Sequence, residues 1–210
     1  MPTRSAPRLA WSRTDSLLTE ALLVLGLVVV AVVGIAGPAA SALGLGGSGG
    51  GTPDDPAFTV PVELRAGTVD AGALDGEVGP LRAQVAFVDP GPLERALHEA
   101  PTIVAAALTV GGLVLVLGIA RSLRHDTPFT TANARRLNVL ALLLVVGAPL
   151  SGLVGGMARV ELLSRAAATE HIVLDAEWSL LPVAVGLGVA GLAELFRRAA
   201  ALREELEGLV

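Results

Sequence analysis

The chain contains no cysteine, which excludes disulfides and thiolate metal sites and leaves the redox compartment unread. It also contains no lysine: all fifteen basic residues are arginine, which together with heavy Ala, Gly, Leu and Val usage points to a GC-rich genome. Without lysine there is no P-loop, because that motif needs G-K-[ST] leading into a helix, so the glycine-rich run Gly44–Pro56 (GLGGSGGGTPDDP) reads as a flexible linker. Charge is missing from long stretches. The 52% hydrophobic content is only slightly above the ~45–50% of soluble domains. What separates the chain from them is that its apolar residues lie in uninterrupted blocks instead of at helical or strand spacing. These blocks read as membrane spans.

Residues 1–20 are polar, with Arg4, Arg8 and Arg13 outweighing Asp15 and Glu20, and Trp11 falls at headgroup depth. Residues 21–43 supply the ~20 apolar positions needed to cross a ~30 Å hydrocarbon core. Ala40-Ser41-Ala42 after such a run also fits a cleaved signal peptide, but the run exceeds the usual ~7–15-residue apolar core and acidic residues precede it. Residues 44–101 form an insertion between spans one and two. Within it, Phe58–Leu64 (FTVPVEL) and Leu81–Val88 (LRAQVAFV) alternate with period two and read as strands. Two strands are not stable alone, so a small sheet resting on the outer membrane surface or on a second copy is expected. Pro92 starts a short helix, Leu93–Ala100, that Pro101 should kink.

Span two is 102–120, followed by a basic connector, 121–136, and span three, 137–158. Pro149 in span three predicts a bend, with Ser151 close enough to satisfy the freed carbonyl. An outer loop, 159–178, ends at Trp178, an interface marker, before span four, 179–195. The tail, 196–210, consists of helix formers supported by Glu194–Arg198 and Arg203–Glu207 pairs. The expected fold is therefore an all-α integral membrane protein, a four-transmembrane-helix bundle with a small β-containing extracytoplasmic insertion.

Orientation follows from the arginines. The connector carries Arg121, Arg124, Arg135 and Arg136 beside span ends, whereas the segment Asp54–Glu99 has three arginines among nine acidic residues. By the positive-inside rule the connector is cytoplasmic. Both termini then also lie in the cytoplasm, in a multi-pass plasma-membrane protein.

The search for chemistry returns little. His98-Glu99 lacks the second histidine of H-E-x-x-H, and His98, His125 and His171 lie in three different loops. Ser41, Ser48 and Ser151 have no partnered base. The expectation is no enzyme, no metal and no cofactor. Mid-membrane ionisable groups, which transport would normally require, are missing, although an oligomeric pore or transport subunit remains an alternative, as does a structural envelope protein. The inner arginines fit anionic lipid headgroups better than nucleic acid. Small residues at helical spacing, Gly147, Ser151 and Gly155 in span three and Ala184, Gly188 and Gly191 in span four, predict that these spans pack on each other, with homodimerisation through the same faces as the alternative. In the tail, Leu195, Ala199, Leu202, Leu206 and Leu209 make a heptad-like seam, read either as lying against the span ends or as a docking stripe. Glu194 is expected to reach Arg135 or Arg136 across spans three and four, in competition with an intrahelical pair to Arg198.

Two motifs carry a resemblance. Pro128-Phe129-Thr130, Asn133 and Arg135-Arg136-Leu137 open the third span; Leu192-Ala193-Glu194-Leu195-Phe196-Arg197-Arg198 and Leu202-Arg203-Glu204 close the fourth. Together they resemble the paired signatures of a bacterial four-span membrane family, domain-of-unknown-function family 2975, from the second span to the C-terminus. The sequence departs from that pattern at Ala199, where a glycine is expected, at Glu205, where aspartate is usual, and at Asp126-Thr127 before Pro-Phe. The resemblance implies no activity. It implies a neighbouring cytoplasmic helix-turn-helix regulator as partner, by association, and hence a non-enzymatic regulatory or interaction module whose connector and tail meet that partner.

Overall fold

The computed structural model describes residues 13–45, 56–64, 81–123, 130–166, 172–173 and 179–207. The connector residues Arg124 to Phe129, most of the glycine-rich linker and Trp178 lie outside them.

The first long helix is α1 (Arg13–Ala31), continued through a π turn at Val32–Ala36 into α2 (Gly37–Ala42). Two strands follow, β1 (Phe58–Leu64) and β2 (Leu81–Phe87), in the segments that alternation predicts. Next comes α3 (Pro92–Leu123), a single helix through Pro101. The third long helix is α4 (Thr131–Leu142), a second π turn at Leu143–Gly147, and α5 (Ala148–Arg165). A two-residue strand, β3 (Ile172–Val173), precedes α6 (Leu181–Glu207).

Both π turns end two residues before a proline. A proline in a regular helix removes an N–H and drives its ring into the carbonyl four residues back. At Pro38 and Pro149 the preceding turn is wider, and around Pro38 the Gly37 N–H reaches back to the Val32 carbonyl. The bend expected at Pro149 therefore takes the form of a π turn. Ser151 does not satisfy the carbonyl freed at Val145; its hydroxyl donates to Ala148 O (2.8 Å).

The helices pack in a row with α3 in the middle. Gly34, within the first π turn, lies against Ala106 so closely that a Cβ there would sit 2.6 Å from the alanine Cβ. On the other side, Gly147 faces Leu108 and Gly155 faces Pro101. This corrects the faces expected to join spans three and four, because Gly147 and Gly155 pack on α3. Helix α6 does pack on the third helix, mainly on α4 and its π turn, but through other residues: Gly186 lies against Leu144, Val145 and the Ala141 carbonyl, and Ala193 and Ala200 are buried. Ala184, Gly188 and Gly191 are exposed. Small residues do allow the close approach. A π turn inserts one residue, which rotates everything after it by about 100°, so the spacing in sequence could not say which neighbour each face meets.

Among the described residues, three helical stretches are long and apolar enough to cross a membrane: Leu17–Ala42, Pro92–Ser122 and Thr131–Arg165. Helix α6 falls short of that measure. Only Leu181 to Ala193 precede Glu194 in it, about 20 Å of helix against a ~30 Å core.

Along the helix axes the row has two ends, and at the one where α3 begins and α5 finishes sits the sheet, antiparallel and ordered β2-β1-β3. Its inward residues Val60, Val62 and Phe87 form a core with Leu162 and Leu163 at the end of α5, and Leu97 of α3 packs against it. Phe58 stacks on Phe87 (centroids 4.8 Å apart) and on His98 (4.0 Å). β3 adds a strand that alternation did not predict, since two residues are too few for a pattern. Nearby, α2 ends in a Schellman motif: Leu45 N donates to Ala40 O and Gly44 N to Ser41 O, with Gly44 at φ +73°.

Candidate functional site

The opposite end of the row gathers the motif residues. Thr130, extended at φ −117° and ψ 151°, caps α4 by accepting from the Asn133 N–H at 3.2 Å. That cap turns Asn133 inward, where it is 0% exposed. A buried amide needs partners for both ends. Here Nδ2 donates to Ser122 Oγ (2.5 Å), whose hydroxyl donates to Ile119 O (2.7 Å), and Oδ1 accepts from Arg136 Nη1 (2.9 Å). The same Nη1 donates to Gly118 O at 2.9 Å. A Cβ on Gly118 would lie 3.1 Å from Arg136 Nε, so the glycine is what lets the guanidinium settle over the α3 backbone. The network joins the end of α3 to the start of α4 across the connector.

Arg135, one residue away, is exposed and lines a groove of about 570 Å³ between α3 and α4, with Leu115, Thr131, Ala132, Arg136 and Val139. Arg121 at the end of α3 pairs with Glu20 of α1 (2.8 Å). Glu194 does not reach Arg135 or Arg136, contrary to the interhelical expectation. It pairs within α6 with Arg197 (2.5 Å) and Arg198 (2.8 Å). The geometric reason is that i,i+3 and i,i+4 partners are already adjacent, while Arg136 is held by Asn133 and Gly118.

Of the other predicted residues, Phe196 is half-buried, Arg203 and Glu204 belong to the last turns of α6, and Pro128 and Phe129 lie outside the described residues. In the tail seam, Leu195 is 62% and Leu202 61% exposed, so this stripe does not lie against the span ends at those positions. The buried face of α6 is instead Gly186, Ala193 and Ala200, small residues seven apart, a repeat that was there to be found. Gly118, Ser122 and Glu20 carried no comparable signal, since each acts through a partner on another helix or across the connector.

Comparison with curated proteins and with solved structures finds no match. Residues 98–210, more than half of the chain and containing both motifs, match the family described as protein of unknown function (DUF2975). The chain belongs to that family.

Proposed function

We propose that this protein is a non-enzymatic interaction module of the bacterial cell membrane, crossing it four times with both termini in the cytoplasm. In this reading α6, extended by Ser179 and Leu180, is the fourth span, and its far half projects into the cytoplasm as a docking helix for a helix-turn-helix regulator. The arginine distribution supports the orientation, because Arg121, Arg135, Arg136, Arg197 and Arg198 lie at one end of the row, and Glu63, Asp89, Glu94 and Glu99, the described acids of the insertion, at the other. The observation that carries the docking role is the face α6 leaves open. It buries alanines against the bundle and keeps Leu195 and Leu202 exposed, with Leu202 beyond the last membrane-proximal arginines. An apolar stripe on a projecting amphipathic helix is the recurring form of helix-in-groove recognition.

The test is affinity purification of the full chain from native membranes with identification of what accompanies it. A helix-turn-helix protein should be recovered with the intact chain and lost both on truncation after Arg198 and with Leu202→Glu, which keeps the tail. If recovery survives both changes, or only a second copy of the chain is found, the docking role is wrong.

A further inference from the structure

We propose that the groove between α3 and α4 binds the headgroup of one anionic phospholipid, with Arg135 as the main contact to the phosphate and the lipid chains descending along Leu115 and Val139. The inference stands apart from the tail and its partner, since none of the described residues that line the groove belongs to α6.

The groove's chemistry is graded along the helix axis. Thr131 and Arg135 are at its upper end, and Leu115 and Val139 lie deeper. Counting from the ends of the candidate spans at Ser122 and Thr131, Arg135 sits about 6 Å below the end, and Leu115 and Val139 about 10–12 Å below it. Cationic groups above an apolar wall at this depth reproduce the profile of a phospholipid, polar at the interface and apolar beneath. A soluble anion would make no use of the lower half.

The charge balance points the same way. Two adjacent arginines line the groove, and among the described residues no acidic side chain does. Arg121, Arg165, Arg197 and Arg198 each face a carboxylate, whereas Arg135 has no ion pair or hydrogen bond among the described residues. Arg136 is preorganised: Nη1 is anchored on Gly118 O and Asn133 Oδ1, leaving Nε and Nη2 without a hydrogen bond among the described residues. Guanidinium donors held in place are suited to phosphate oxygens, and the fixed arrangement lowers the entropy lost on binding.

The experiment is native mass spectrometry of the full chain in detergent, titrated with phosphatidylglycerol or phosphatidylcholine. One phosphatidylglycerol should be retained in preference to phosphatidylcholine. Arg135→Gln should weaken that retention about tenfold, the scale of one charge-assisted contact. Ala132→Trp, which fills the groove without removing charge, should weaken it comparably. Arg159→Gln, the same loss of charge on α5, should leave it intact. Equal retention of the two lipids, or retention unmoved by Arg135→Gln or by Ala132→Trp, overturns the site. So does displacement of the lipid by millimolar inorganic phosphate, which would make the groove a soluble-anion site.

Discussion

The two ends of the helix row are held by opposite kinds of interaction. At the sheet end, residues from β1, β2, α3 and α5 meet in an apolar core centred on Leu163 and Phe87, and aromatic rings stack on one another. At the arginine end, a buried amide is wired to a hydroxyl and a guanidinium, and the guanidinium in turn to the backbone of the neighbouring helix. An apolar core tolerates rearrangement at the cost of contact area. A polar network is directional, and losing one member leaves the others unsatisfied. The arginine end therefore specifies one geometry for the contact between the end of α3 and the start of α4, and the sheet end supplies bulk stability where strands too few to fold alone are held on the helices.

The largest expected effect tests the apolar side. Leu163→Ala removes a side chain that is 0% exposed and should destabilise the protein by about 2–5 kcal/mol. Thermal unfolding in detergent measures it, and a loss below ~1 kcal/mol would mean that the sheet is not anchored through this residue. Asn133→Ala should have a smaller effect, about 1–3 kcal/mol, because Ser122 and Arg136 lose their shared partner. A loss as large as that of Leu163→Ala would erase the contrast between the ends. The smallest effect belongs to Glu20→Gln, which breaks the Arg121 pair. With the arginine more than half exposed, the change should be within about 1 kcal/mol and vanish in high salt. A salt-insensitive loss would mean that Glu20 acts through packing.

Much of the architecture was legible beforehand because it follows from local rules. Uncharged blocks of adequate length mark the three helical stretches that can cross a membrane among the described residues, and period-two alternation marks β1 and β2. The last helix is the exception. A fourth span is expected over 179–195, but Glu194, Arg197 and Arg198 cut the uncharged part of α6 short of a full crossing.

The candidate site was legible only in its residue types. Asn133 and Arg136 were singled out as motif residues, yet their roles depend on Ser122 and Gly118, which lie across the connector. The small-residue stripes were read as facing each other. Gly147 and Gly155 instead face α3, and α6 turns a different small face toward α4.

By itself the sequence determined which segments are helix, which are strand and where charge collects, since chain propensity, alternation and the expense of placing charge in hydrocarbon act within a segment. Tertiary structure alone decided which face meets which neighbour, that Arg136 is fixed while Arg135 is left open, and that Leu195 and Leu202 remain uncovered. The physical reason is rotational. A helix with small or apolar residues on several faces can pack through any of them, and each π turn shifts the phase by about 100°. Only the arrangement of all the helices together selects one face.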